Sequence, residues 1–146
     1  MSEKLTLRIK YRNETVKRLE KLAVGNWIDL SADKRITMIK GEFAIIPLGI
    51  AVQLPEGFEA NIVPRSSTFS RFGILQVNSY GVIDDSYCGD DDYWGFPALA
   101  MRDTVIEKNS RICQFRINAI QPELDLFEVE ALENDNRGGF GSTGHT

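Results

Sequence analysis

The run Glu42-Phe43-Ala44-Ile45-Ile46-Pro47-Leu48-Gly49-Ile50-Ala51-Val52-Gln53-Leu54-Pro55-Glu56-Gly57-Phe58-Glu59-Ala60-Asn61-Ile62-Val63 decides the fold. Pro47-Leu48-Gly49 and Pro55-Glu56-Gly57 cut it into three short apolar segments, 42–47, 49–54 and 59–63. Apolar runs this short between turn signals read as strands. Toward the N-terminus, Leu5, Leu7, Ile9 and Tyr11 alternate with Thr6, Arg8 and Lys10, the period of a half-buried strand. Further runs fall at 35–39, 73–78, 97–102, 111–117 and 124–131, with breaks at Lys40-Gly41, Ser79-Tyr80-Gly81 and Lys108-Asn109-Ser110. Many short strands at this spacing predict an all-β sandwich or barrel. One segment departs from the pattern. Pro64 to Gly73 opens with hydroxyls suited to an N-cap and closes on a glycine suited to C′, which predicts a single short helix after Pro64-Arg65-Ser66-Ser67. Val16 to Leu22 is also readable as helical. From Asn134 onward the composition changes, with Gly138, Gly139, Gly141 and Gly144 close together and Phe140 almost alone as an apolar residue. The expected organisation is a β domain over 1–133 and a mobile arm over 134–146.

Composition narrows the chemistry. The 146 residues carry 17 Lys+Arg against 21 Asp+Glu, a net charge of −4, with 42% hydrophobic residues. That balance suits one soluble domain and disfavours a nonspecific nucleic-acid binder, which needs a basic face. Two cysteines, Cys88 and Cys113, and one histidine, His145, allow neither a disulfide framework nor an internal zinc cluster. They also disfavour Ser-His-Asp and Cys-His catalysis, and the cysteines read as small packed residues. The start lacks the apolar run of a signal peptide, and no later stretch reaches the length of a membrane span. A cytoplasmic, reduced protein is expected, without a membrane partner.

Three stretches carry chemistry. Backbone N–H groups at a helix start, with the Ser66 and Ser67 hydroxyls and the Arg65 guanidinium beside them, would make a phosphate site; the same residues also read as a capped surface helix. The tail Arg137-Gly138-Gly139-Phe140-Gly141-Ser142-Thr143-Gly144 offers the same donors in flexible form, its glycines letting the backbone wrap an anion. It is not a P-loop, since no Gly-Lys-Ser/Thr follows. Its other reading is a solvated end, against which Phe140 argues. In Asn78-Ser79-Tyr80-Gly81-Val82-Ile83-Asp84-Asp85-Ser86-Tyr87-Cys88-Gly89-Asp90, the pair Val82-Ile83 sets Asp84 at the edge of a buried segment. An aspartate there can be a general base and Tyr87 a flat wall against a ring. A hairpin with acidic turn residues is the alternative.

Together these segments resemble the trimeric dUTP pyrophosphatase (dUTPase) family, whose five ordered motifs run here from Gly25 to Gly144. The third, Gly-x-Ile-Asp-x-x-Tyr-x-Gly, is complete in Gly81 to Gly89, and the second is Pro64-Arg65-Ser66-Ser67. The fourth reads Arg111-Ile112-Cys113-Gln114, and the fifth ends in Gly139-Phe140-Gly141-Ser142-Thr143-Gly144. The first, usually Ala-Gly-x-Asp-Leu, is Asn26-Trp27-Ile28-Asp29-Leu30 and keeps only the aspartate and the leucine. Two more departures look like features of a phage or bacterial subgroup. The spacer between Arg137 and Gly139 is shortened, and Asp91-Asp92-Tyr93-Trp94 reads as extra sequence after the third motif.

The resemblance implies a distorted β-barrel or jelly-roll subunit assembling into a homotrimer, with each site built from three chains and the arm closing over a neighbour. It implies hydrolysis of dUTP to dUMP and pyrophosphate, which limits uracil in DNA and supplies dUMP for dTMP synthesis. Asp84 would be the base and bind the 3′-hydroxyl. Mg²⁺ would bridge the phosphates, touched through water by Asp29 and Gln114. Arg65, Ser66, Ser67 and Gln114 would hold the α- and β-phosphates; Arg137, Ser142 and Thr143, with Gly141 among them, the γ-phosphate. Tyr87 would exclude a 2′-hydroxyl, an edge beginning at Asn78 and running through Gly81 would read uracil, and Ile83 would crowd a C5 methyl. Phe140 stands where the family's stacking aromatic does, but the shortened spacer gives Tyr93, next to Trp94, a share of that role. The related dCTP deaminase group is disfavoured by the intact Gly81-Val82-Ile83-Asp84 run. A nucleotide sensor docking a regulatory protein partner on 91–96 is the reading from another class.

Overall fold

Alternation builds the first strand: in β1 (Arg8–Tyr11), Ile9 and Tyr11 turn toward the interior while Arg8 and Lys10 stay in solvent. The computed structural model describes residues 4–141. Nine further strands follow, β2 (Ile28–Ser31), β3 (Ile36–Met38), β4 (Phe43–Gln53), β5 (Phe58–Pro64), β6 (Ile74–Gln76), β7 (Gly81–Ile83), β8 (Tyr93–Ala100), β9 (Thr104–Ile106) and β10 (Arg111–Ala119). The single helix, α1 (Thr68–Phe72), stands between β5 and β6. Two antiparallel four-stranded sheets, ordered β1-β4-β8-β6 and β2-β10-β5-β7, form the body, with β3 and β9 paired separately. This is the all-β, jelly-roll-like architecture expected from the spacing of short strands.

The core lies between the sheets. Ile46, Ile50, Val52, Phe96 and Ala98 enter from one, Leu30, Ala60, Ile62, Cys113 and Phe115 from the other, all buried. The Trp94 and Phe115 rings meet edge to face across them, centroids 5.2 Å apart, a favoured aromatic geometry. On the outer face of β8, a Cβ at Gly95 would stand 2.6 Å from Cγ2 of the exposed Ile45, whose side chain would have to shift.

The structure corrects several expectations. The segments 42–47 and 49–54 are one strand: pairing with β8 shifts register between Pro47 and Ala51, so the proline, which has no N–H to donate, bends the strand without ending it. Val16 to Leu22 is not a helix. The Arg18 guanidinium donates to the Asn13 and Val16 carbonyls, and the Leu19 N–H donates to the Tyr11 hydroxyl, so side chains serve backbone groups that a helix would pair internally. The run 124–131 forms no strand; it finds no partner strand among the described residues, and Leu126 and Phe127 are 89% and 82% exposed. Tyr93 and Trp94 are not extra surface sequence, because they open β8, and Trp94 and Phe96 are core residues. Cys113 is packed as expected, but Cys88 is exposed. The helix ends as predicted: Gly73 adopts the left-handed conformation (φ 64°) and its N–H donates to the Phe69 carbonyl at 2.7 Å.

Candidate active site

Two clusters of candidate residues form, one at each end of β5. At its C-terminal end, β2 and β10 pair so that Asp29 stands opposite Gln114, which in turn stands opposite Val63 of β5. The chain then leaves β5 at Pro64 and enters α1. Ser67 is the N-cap residue but makes no side-chain cap bond. Thr68, the first helical residue, turns its hydroxyl back toward the strands, accepting from the Arg65 N–H ahead of the helix and donating to the Ile112 carbonyl, both at 2.8 Å. Arg65 Nε lies 3.2 Å from Asp29 Oδ1, and Arg111 Nη1 lies 3.5 Å from Asp29 Oδ2. Gln114 donates from its amide to the Pro64 carbonyl at 3.1 Å, leaving the amide oxygen to accept. The half-buried carboxylate of Asp29 therefore sits between two guanidinium groups, with Gln114 opposite it on the paired strand. An anion arriving here meets donors already gathered. Behind them, burial first and then the Asp29 charge push the Cys113 thiol well above its ordinary range, which suits a packed residue and not a nucleophile.

The donors also bear on Mg²⁺. Among the described residues no group of three or more His, Cys, Asp or Glu stands together as a metal cage. Asp29 offers one carboxylate, already between two arginines, and Gln114 one amide oxygen. That set fits a hard cation carried mainly by substrate phosphates and water, the usual habit of Mg²⁺.

At the other end of β5, β7 pairs with it so that Ile83 stands opposite Ala60 and Gly81 opposite Ile62. β7 is the edge of its sheet, so one side of its backbone is left unpaired. The edge begins at Gly81, not at Asn78, which lies in the preceding turn beside Ser79 (φ 61°). Gln76 ties this turn to β5 by donating to the Ile62 carbonyl at 3.0 Å, and its buried amide oxygen has no partner among the described residues. Beyond β7 the chain turns back, with the Tyr87 N–H donating to the Asp84 carbonyl at 3.0 Å. Val82, Ile83, Asp84, Tyr87 and Tyr93 line an open cleft of about 280 Å³. The Tyr87 hydroxyl donates to the Tyr93 carbonyl at 3.1 Å. The Arg12 guanidinium lies 4.3 Å from the centroid of the Tyr93 ring and pairs with the buried Asp33 at 3.0 Å. Asp84 Oδ2 accepts from both the Ser86 hydroxyl and the Ser86 N–H. Those bonds, the hydroxyl first, hold its carboxyl below the usual carboxylate range.

Asp84, Ile83, Tyr87 and Tyr93 are thus brought together, as are Asp29, Arg65 and Gln114, but the two groups are not joined. From Ala60 to Arg65, at roughly 3.3 Å per residue, is about 16 Å of strand. Arg137, Phe140 and Gly141 lie in the exposed terminal segment, which forms no strand or helix. Ser142 and Thr143 lie outside the described residues. Two contributors were not singled out from sequence. Arg111 heads the fourth motif, and Ser86 sits two residues after Asp84, the spacing of an Asx turn.

Comparison with known proteins gives the family. A family model described as dUTPase matches residues 16–144. The SPbeta prophage-derived deoxyuridine 5'-triphosphate nucleotidohydrolase YosS of Bacillus subtilis (strain 168) is 55% identical over 140 residues, covering 96% of this chain and 99% of its own length. A deoxyuridine 5'-triphosphate nucleotidohydrolase of Rickettsia bellii is 44% identical over 121 residues, 80% of this chain and 79% of that one. Among solved structures, a Staphylococcus bacteriophage 80alpha dUTPase with dUpNHpp superposes with a TM-score of 0.78 at 22% identity, over 96% of this chain and 99% of that one. A dUTPase from phage phi11 of S. aureus, described with a structural Mg(II) ion, gives 0.76 at 19% identity over 88% and 99%. At those identities the two structures bear on fold alone. The family model over nearly the whole chain and a relative more than half identical from end to end, with the third motif folded around one cleft, establish that this chain belongs to the dUTPase family.

Proposed function

We propose that this chain hydrolyses dUTP to dUMP and pyrophosphate, acting on the free nucleotide in the cytoplasm. The observation that carries the reading is the cleft, where an edge strand, a carboxylate and an aromatic wall converge within one turn of chain. The unpaired backbone of β7 from Gly81, with Asn78 in the turn before it, reads the uracil edge. Cytosine presents the opposite donors and acceptors, and unmatched buried polar groups make such rejection large, on the order of 10⁴-fold or more. Ile83 crowds a methyl at C5, and Tyr87 fills the space a 2′-hydroxyl would need. Asp84 binds the 3′-hydroxyl and takes the proton of the water that attacks the α-phosphorus.

Arg65, Ser66, Ser67 and Gln114 hold the α- and β-phosphates, and Arg137, Ser142 and Thr143 of the arm, 134–146, hold the γ-phosphate with Gly141 at their centre. Mg²⁺, held by the phosphates with Asp29 and Gln114 touching it through water, would neutralise charge on the leaving pyrophosphate. A base must stand within hydrogen-bond reach of the reacting water. Asp84 and Arg65 are separated by most of β5, so both serve one phosphorus only if different copies supply them. A homotrimer with shared sites meets that need, and the apolar side chains exposed over 120–132 give it surface to bury.

Pyrophosphate release measured across dUTP, dCTP, dTTP and UTP tests the reading, and only dUTP should turn over rapidly. Asp84→Asn should keep dUTP binding and lose roughly 10²- to 10⁴-fold in turnover; native-like turnover in that variant removes Asp84 from the mechanism.

A further inference from the structure

We infer that Ser86 is a positioning residue for the base: its hydroxyl and its N–H both hold Oδ2 of Asp84, leaving Oδ1 as the oxygen that takes the proton of the attacking water. The inference rests on the reading of Asp84 as the base. A carboxylate has two chemically equal oxygens and a freely turning Cβ–Cγ bond, so an exposed aspartate offers a proton acceptor of undefined direction. Here both Ser86 donors end on the same oxygen. The turn that makes this geometry is closed by the Tyr87 N–H on the Asp84 carbonyl, so the carboxylate and the aromatic wall are set by one backbone conformation.

The surroundings leave this task to Ser86. The groups facing Asp84 are Asp85 and Ser86 on its own turn and, across the cleft, Tyr87, Tyr93, Trp94 and Gly95. Among the described residues no cationic side chain forms an ion pair with it. Asp84 is also fully exposed, so burial adds little. Hydrogen bonding, with the Ser86 hydroxyl as its largest contribution, is therefore what favours the charged form. A serine two residues beyond an aspartate is an ordinary turn device; at this place it fixes which oxygen is free and keeps it ionised as the pH falls.

The test compares the dependence of kcat on pH, with dUTP, for the native chain, Ser86→Ala, Ser86→Thr and both serine variants in the Asp84→Asn background. Ser86→Ala raises the carboxyl toward its ordinary range, so its acid limb moves to higher pH. Its turnover relative to the native chain should be roughly threefold or more lower on that limb than at about pH 8. Ser86→Thr retains the hydroxyl and should restore the native profile. With Asp84→Asn, neither serine change should lower kcat further. An unmoved acid limb in Ser86→Ala, or a loss equal at every pH, overturns the inference while an inactive Asp84→Asn leaves the base in place. An active Asp84→Asn overturns the reading on which it rests.

Discussion

Tyr87 is held at two points, its N–H on the Asp84 carbonyl and its hydroxyl on the Tyr93 carbonyl. A ring pinned in this way cannot swing aside to admit a larger sugar, and its position is coupled to that of the carboxylate beside it. Tyr87→Ala should therefore raise the ratio of UTP to dUTP hydrolysis, read from kcat/KM for each nucleotide. An unchanged ratio would place sugar discrimination elsewhere. The residues of this cleft were legible because Gly81 to Gly89 is uninterrupted and its side chains act where the chain places them. Asp29 was legible as a carboxylate but not as the partner of Arg65 and Arg111, since that contact needs β2 and β10 to pair across a long stretch of sequence. Thr68 was hidden for a similar reason: nothing in Ser66-Ser67-Thr68 says which hydroxyl turns inward to the Ile112 carbonyl.

At the scale of elements, the proposed function gives β8 and the terminal segment rival claims on the nucleobase. Tyr93 is fixed at the start of β8, with Arg12 over its ring. Phe140 is fully exposed in a segment without strand or helix. A shortened spacer removes up to about 7 Å of reach from the arm, so stacking on uracil should be shared with, or taken over by, Tyr93. Separate alanine substitutions decide the matter through KM and turnover for dUTP. A loss of at least tenfold in kcat/KM confined to Phe140→Ala, with Tyr93→Ala neutral, would return the whole role to the arm. The elements were legible unevenly. β5 and β10 declare themselves by their apolar runs and β8 only by its second half, within 97–102, whereas β2, β7 and β9 hold three or four residues each and exist because a neighbour pairs with them. The same dependence explains the opposite error at 124–131, where a strand-like pattern meets no partner strand among the described residues. Pro47 misled because a break in hydrogen bonding is not a break in the strand.

In the whole molecule, the proposed function makes the two clusters at opposite ends of β5 half of one site and half of another. Mixing Asp84→Asn chains with chains truncated before Arg137, each inactive alone, should restore partial activity once subunits exchange. No recovery despite demonstrated exchange would confine each site to one chain. If the halves are shared, β5 is a ruler. One residue more or fewer would turn its outward side chains inward, and two would move the carboxylate and the guanidinium apart or together by about 7 Å. Surface loops away from both clusters can change length at little cost. The seven residues from Phe58 to Pro64 cannot, because they set the pitch at which successive catalytic centres are spaced around the assembly.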